Sequence, residues 1–448
     1  MNNSGNMTSG SETGHIIRFA LPLLGGNLLQ QTYNIADTLI VGRVLGDDAL
    51  AAVGATGSIT YLFYTLCIGL SIGAGVMIAQ LFGAGDIKRM RSAVFNSAVV
   101  TAIFGLIISI AGVLAARSVL TMLNVPAKLI DDSSAYMRIA CGGTLAVAAY
   151  NWINSVMRAL GDSKTPLIFL GAASIMNVLL DIFFVIVLKT GVEGAAWATV
   201  LAQGFSAAAC ILYSFGRNES LRLSRSDIKA DRDIMSRCVS MGVPIALQNG
   251  LISVSMVALQ RVTNGFGETV MAAYTVSMRI EQFVQQPFSS LNAAVSTFTG
   301  QNIGAGKEER AVRGLRSALT ISVIFAFAVL ALFAAFGRYI AGWFVTGSEV
   351  ISIASKAVVI TAAFYWSLGA IHTTRGFLNG TGDTGYALVN GLAEVICRIG
   401  LSLVLTRIAF IGCWGIWLTT CFTWFATAAV SIIRYKSGKW KNRSVVSS

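Results

Sequence analysis

The chain has 448 residues, 55% of them hydrophobic and only 12% charged, with a mean hydropathy of +0.69. An average soluble domain carries about 25% charged residues, so a soluble enzyme, a disordered protein and a secreted disulfide scaffold are excluded. The net charge of +12 reads as topogenic, Lys and Arg collecting in cytoplasmic loops, and not as a nucleic-acid surface.

Residues 1–14 are polar and rich in Gly, Ser and Asn. The apolar run that follows is longer than a signal-peptide core, so no cleavable signal is expected. A spanning helix needs ~20 apolar residues. Twelve such segments lie near 16–41, 52–82, 93–116, 134–156, 166–188, 194–215, 238–262, 271–299, 315–337, 355–376, 385–406 and 411–433. The second and eighth exceed one crossing, which predicts tilt or a kink. The fold class expected is an all-α polytopic membrane protein. With the N-terminus placed inside, the inner segments hold 22 of the 33 Lys and Arg residues, the outer ones nine, and Arg279 and Arg398 lie within spans. That bias puts both termini in the cytoplasm. The seven cysteines form no CxxC pair and read as small core residues.

The two halves repeat each other. Gln80-Leu-Phe-Gly83-Ala84-Gly85-Asp-Ile-Lys-Arg89 matches Gln301-Asn-Ile-Gly304-Ala305-Gly306-Lys-Glu-Glu-Arg310 at five of ten positions, at an offset of 221. The same offset pairs Gly46 with Gly267, Gly161-Asp162 with Gly382-Asp383, and Gly191, Gly194 and Thr199 with Gly412, Gly415 and Thr420. Pro22 pairs with Pro244 only if one residue is inserted. Matches sustained at one offset indicate an internal duplication. Six spans per copy give both copies the same orientation, so two six-helix bundles related by a pseudo-two-fold axis along the membrane normal are expected, a plan suited to alternating access. The domain reading is a polar tail at 1–14, a bundle at 15–215, a cytoplasmic linker at 216–237, a bundle at 238–433 and a basic tail at 434–448. Gly304-Ala-Gly306-Lys307 is not a phosphate loop, because Glu308 stands where Ser or Thr is required and no strand precedes it. No ATP-binding fold is present in the pattern, so active transport must draw on an ion gradient.

Four acids fall well inside apolar segments: Asp37, Asp181, Glu281 and Glu394. Each costs ~2.5–3.5 kcal/mol to insert near the bilayer centre and needs a reason. At 1.5 Å per residue, Asp37, Asp181 and Thr199 come at similar depth, ~9–12 Å from the outer ends of spans one, five and six. Asn177 lies one turn from Asp181 on the same face. Two carboxylates, an amide oxygen and a hydroxyl make an all-oxygen set that suits either Na⁺ or a shared proton. The second copy lacks it: Asp181 becomes Ser402, Asn177 becomes Arg398, and Asp37 falls at Ala258 or Leu259. Glu394 and Arg398 have the spacing of an i, i+4 ion pair. Glu281, with Gln282, Gln285 and Gln286, suits either a cavity wall attractive to cations or a structural polar network. His372 reads as a packing residue. The substrate-cavity candidates are Tyr33, Asn34, Glu281, Gln285, Trp366 and Arg398.

These motifs resemble the multidrug and toxic compound extrusion family, in the multidrug/oligosaccharidyl-lipid/polysaccharide superfamily, over residues 14–435. The residues that carry the resemblance are Pro22, Asn34-Ile-Ala-Asp37 before Val41-Gly42-Arg43, the two Gln-x-x-Gly-Ala-Gly turns and Arg158-Ala-Leu-Gly161-Asp162-Ser-x-x-Pro166. Asn177-Val-Leu-Leu-Asp181, Gly191-Val-Glu-Gly194-Ala-Ala-Trp-Ala-Thr199 and Arg375-Gly376-x-x-x-Gly380 extend it. Within the family the chain is similar to the DinF-like prokaryotic branch, whose cation site maps onto Asp37, Asn177, Asp181 and Thr199. The resemblance implies a multidrug efflux antiporter in the inner membrane of a prokaryote. It would export organic cations in exchange for H⁺ or Na⁺, with no other cofactor and no nucleic-acid partner. The internal duplication removes the need to dimerise, so a monomer is expected. A lipid-linked oligosaccharide flippase of the same superfamily is the alternative, but its pyrophosphate substrate wants more intramembrane Arg and Lys than Arg279 and Arg398. A prenyl-transfer enzyme wants DDxxD motifs, which Asp47-Asp48 and Asp131-Asp132 do not complete.

Overall fold

The computed structural model describes residues 5–225 and 227–446. Among these there is no strand. The first sequence half forms α1 (Glu12–Ile40), α2 (Asp47–Gly83), α3 (Ile87–Met122), α4 (Ile130–Gly142), α5 (Thr144–Ala159), α6 (Lys164–Asp181) and α7 (Val192–Arg217). The second forms α8 (Arg232–Asn264), α9 (Glu268–Gly304), α10 (Glu308–Gly342), α11 (Ser348–Ala362), α12 (Tyr365–Gly380), α13 (Gly385–Leu405) and α14 (Gly415–Lys436). Eight of these helices are long and apolar enough by themselves to cross a membrane, and α11 with α12 makes a ninth segment bent by 49°. The remaining crossings are α1, α9 and the α4–α5 pair, which carry the polar residues that lower their hydropathy. The result is six crossing segments in each sequence half, among the described residues. Two expected single spans are thus broken, at Gly143 and at Ala363–Phe364.

The duplication is written into the backbone. Gly46, Gly85, Gly161 and Gly191 have positive φ, and so do their repeat partners Gly267, Gly306, Gly382 and Gly412. At Gly85 and Gly306 this has a clear local cause. The turn closes α2 with Asp86 N–H donating to Leu81 O at 3.1 Å, and closes α9 with Lys307 N–H donating to Asn302 O at 2.8 Å. Such a cap needs a left-handed residue, which glycine adopts without steric cost.

The chain condenses into two compact units whose boundaries are not those of the loops. Of the described residues, unit 1 contains 5–6 and 25–246 and unit 2 contains 7–24 and 247–446. The boundary therefore cuts α1 and α8, and it differs from the expected division at the 216–237 linker. The physical reason is where the first halves of these two helices bury their apolar faces. In unit 2, Ile16, Phe19 and Ala20 of α1 join Leu291, Ala294 and Phe298 of α9 and Leu315 of α10. In unit 1, α8 presses on α2 so closely that a Cβ on Gly73 would stand 2.7 Å from the Gly242 backbone nitrogen. In unit 2, α12 meets α9 in the same manner. A Cβ on Gly376 or Gly380 would lie 2.5 Å from the carbonyl oxygen of Asn292 or Ser296, the small-residue contact typical of membrane helix pairs.

The stretch before α1 is more than a polar tail. Met7 is 4% exposed and sits in the unit 2 core. Its N–H donates to Gln301 Oε1 at 2.9 Å. Arg310 donates to the carbonyl oxygens of Met7, Ser9 and Gly10 at 2.8–3.4 Å, and to Glu12 Oε1 at 3.2 Å. Arg313 donates to the same carboxylate at 3.0 Å. Unit 1 repeats the device: Asp233 at the start of α8 pairs with Arg89 at 3.8 Å. Arg89 and Arg310 are repeat partners, and each acid stands at the start of the first helix of its sequence half.

Glu12's own backbone N–H and the Arg313 and Arg310 guanidiniums hold its carboxyl below the usual 4.5. A depressed carboxyl stabilises the folded form above its unfolded value and loses that contribution as pH falls through the folded value. Protection of the residue 7–11 amides, taken as the ratio of intrinsic to observed exchange rate, should therefore fall as the pH is lowered below the usual 4.5. Glu12→Gln should show the lower protection already at neutral pH. Equal exchange in the two proteins at neutral pH would mean that the carboxylate does not fasten the segment.

All seven cysteines are free; Cys397 and Cys413 are partly exposed and the other five buried. His372 stacks on Phe288 with ring centroids 6.3 Å apart.

Candidate cation site

The second half of α1 and the end of α6 bring their acids together inside unit 1. The Asp37 and Asp181 carboxyls are near enough for each to act on the other. Asp181 is 0% exposed and Asn177 2%. Asp37 Oδ1, both Asp181 carboxylate oxygens and both Asn177 amide atoms are buried without a hydrogen-bonding protein donor or acceptor. Leaving a buried polar group unsatisfied costs about 1–3 kcal/mol, and more when it is charged. Five such atoms within one turn of helix and its facing neighbour are therefore a strong sign of an exchangeable partner.

Thr199 of α7 is half-buried and donates Oγ1 to Ala195 O at 3.2 Å, which leaves its lone pairs free to accept. Thr199 and Asn177 both border a cavity of about 20 Å³ whose walls include Gln30, Tyr33, Tyr150 and Gln203. That is room for about one water. Asp37 and Asp181 are not among the residues that line this cavity. Gln203 Oε1 is also buried without a partner. The Tyr33 hydroxyl faces Gln30 and Gln203 and stands within range of both acids' charges.

Local structure explains how two acids can be held there. Immediately after Asp181 the helix widens into a π-helical turn, Ile182–Val187, and four residues after Asp37 the same happens at Val41–Leu45. Single π turns inside α-helices recur at functional sites. The two turns pack together through Val41 and Val185, with Val192 and Ala195 of α7, in one apolar cluster. The first π turn lies within the stretch from Pro22 to Gly46 that holds the one-residue misfit between the repeats. Placing the extra residue in that turn gives an offset of 222 before it, as Pro22 and Pro244 show, and 221 after it, as Gly46 and Gly267 show. Asp37 therefore corresponds to Leu259, which is 1% exposed, and Tyr33 to Ser255.

The other predicted residues are distributed as follows. Asn34 is exposed on α1. Glu281 is buried in unit 2 with Gln285 Nε2 donating to its Oε1 at 2.8 Å. Trp366 is half-buried and meets Phe425 edge-on at 6.1 Å. Arg398 is 0% exposed and donates to Glu394 Oε1 at 2.9 Å, the anticipated i, i+4 pair, and to Ser255 Oγ at 2.6 Å. Sequence reasoning did not single out Gln30 or Gln203, which the structure sets beside Tyr33. A glutamine one turn before Tyr33, and another one turn after Thr199, is the signal that was available.

A family model described as MatE matches residues 22–183 and 244–404. The chain belongs to the MatE family. The starts of the two matched stretches are offset by 222 and their ends by 221, the same change that the pairs Pro22–Pro244 and Gly46–Gly267 show. MatE proteins are membrane transporters and not enzymes. Among curated relatives, the probable multidrug resistance protein YpnP of Bacillus subtilis is 28% identical over 97% of each chain. The probable multidrug resistance protein NorM of Thermotoga maritima is 24% identical over 96% of this chain and 94% of its own. Among solved structures, a MOP superfamily transporter from Pyrococcus furiosus superposes with a TM-score of 0.91 at 23% identity, over 99% of each chain. That likeness carries the fold: two bundles of six membrane-crossing segments.

Proposed function

We propose that this MatE protein is a secondary active multidrug efflux antiporter. It exports organic, mostly cationic and amphipathic compounds in exchange for H⁺ or Na⁺ by rocker-switch alternating access, as a monomer in the inner membrane of a prokaryote with both termini cytoplasmic. The likeness to YpnP and NorM, both probable multidrug resistance proteins, supports multidrug efflux. The placement of the acids in unit 1 supports the DinF-like branch. The observation that carries the coupling role is the enclosed Asp181 carboxylate facing Asp37, with neither of its oxygens satisfied by a protein donor.

Two carboxylates so placed cannot both stay ionised without a counter-charge. A proton shared between them, or a Na⁺ held by their oxygens with Asn177 Oδ1 and Thr199 Oγ1, removes the repulsion and lets α1 and α6 close together. Without that ion the like charges push the same two helices apart. Ion uptake and release thus favour different arrangements of unit 1, and a substrate that binds better to the ion-free arrangement is expelled when the ion enters.

Proteoliposomes loaded with a fluorescent organic cation, under a pH gradient or a Na⁺ gradient applied separately, test this. The wild type should show efflux driven by one of the gradients, which also identifies the ion, and Asp37→Asn should abolish it. Wild-type vesicles that retain the dye under both gradients would overturn the antiporter reading.

A further inference from the structure

Unit 2 has its own version of the unit 1 site, and a side chain already fills it. The repeat sets Arg398 where unit 1 has Asn177, Ser402 for Asp181, Thr420 for Thr199 and Ser255 for Tyr33. In unit 1 the polar atoms of Asn177 and Asp181 lack protein partners. In unit 2 their counterparts are engaged, Arg398 through its two terminal guanidinium nitrogens while its Nε is without a partner. Arg398, on α13, reaches α8 through Ser255 Oγ at 2.6 Å and holds Glu394 on its own helix at 2.9 Å. Ser402 Oγ donates to Ile399 O at 2.8 Å. The other charged and titratable groups that face the guanidinium are Arg375 of α12, 3.7 Å from Glu394 Oε2, and Glu281 and Tyr274 of α9. The cluster holds two guanidiniums and two carboxyl groups, so its charges can balance internally.

We infer that Arg398 is a tethered cation, standing in unit 2 where unit 1 takes its exchangeable ion. The inference rests on the reading of unit 1 as the ion site. The guanidinium joins α13 to α8 as an ion held by Asp181 and Asp37 joins α6 to α1. A guanidinium does not lose its proton inside a protein, and this one is fixed to the chain. Unit 2 therefore stays in its cation-loaded arrangement throughout the cycle, and each chain carries one exchangeable ion position. The asymmetry between otherwise matching halves acquires a purpose: only one half responds to the gradient.

The test reads the melting temperature of the full-length detergent-solubilised protein against Na⁺, with choline as the balancing ion, and against pH. The wild type should show an ion-dependent rise that Asp37→Asn removes. Adding Arg398→Gln to Asp37→Asn should bring an ion-dependent rise back, because Glu394 has lost its tethered partner. Glu394→Gln on top should remove it again. No returning rise in the folded double variant would overturn the inference. Should that variant not fold, Asn177→Arg gives a mirror-image reading. A guanidinium beside Asp181 should yield a folded protein with no ion-dependent rise and no ion-driven efflux. An Asn177→Arg protein that keeps the ion-dependent rise would overturn the inference. A wild-type rise that survives Asp37→Asn would instead remove the reading of unit 1 on which the inference stands.

Discussion

Asp181→Asn should reduce ion-driven efflux to near background while leaving the protein folded and melting no lower than the wild type. Two effects of one substitution lie behind this. The amide keeps the shape of the side chain but cannot carry the charge that binds the ion. A charged hydrogen-bond partner is worth about 1.5–3 kcal/mol, so ion affinity should fall roughly ten- to a hundredfold. At the same time the variant no longer buries a carboxylate that is 0% exposed and without a protein donor, which removes a desolvation cost from the folded state. Efflux and thermal melting measured on the same preparation separate the two. Undiminished efflux would rule out Asp181 as a coupling residue, and a collapsed melting transition would show that its role is structural.

Glu394→Gln should have the opposite signature. Its carboxylate is the acid that pairs with both Arg398 at 2.9 Å and Arg375 at 3.7 Å. Arg398 is fully enclosed, and Arg375's remaining fixed partner is the Asn390 amide oxygen at 2.8 Å. Removing one member of a buried pair leaves an uncompensated charge and costs about 3–5 kcal/mol. The expected result is a large drop in melting temperature and yield. Replacing both members of the helix pair, as Glu394→Leu with Arg398→Met, should recover most of that loss, since a buried ion pair often contributes little net stability compared with apolar residues of similar size. A single variant as stable as the wild type would mean that the two guanidiniums are not held by this carboxylate.

The grouping of Asp37, Asn177, Asp181 and Thr199 was legible because depth along a helix follows from counting residues, and acids inside apolar runs stand out. What surrounds them was not. Gln30 and Gln203 are polar residues of a common kind on helices that also face other helices, so spacing alone does not mark them. Of the two π turns only the first coincides with a trace in the sequence, the one-residue misfit between Pro22 and Pro244. No residue preference announces a π turn; it is set by how α1 and α6 pack against each other and against α7. The helix breaks behave likewise. Pro22, Pro244 and Pro287 all lie inside continuous helices, whereas the breaks at Gly143 and Ala363–Phe364 contain no proline. The unit boundaries inside α1 and α8 could not be read from loops, because they depend on which neighbour each half-helix covers.

The distribution of thiols bears on how this protein can be watched at work. The five cysteines that are buried will react slowly with maleimides in the folded state, and the two that are accessible, Cys397 and Cys413, both lie on unit 2. Replacing these two alone should give a spectroscopically quiet background. A single cysteine introduced at exposed Asn34 on α1, or at exposed Trp197 on α7, would then carry a spin label or fluorophore close to the paired acids and report their movement without the wholesale removal of native thiols from the core.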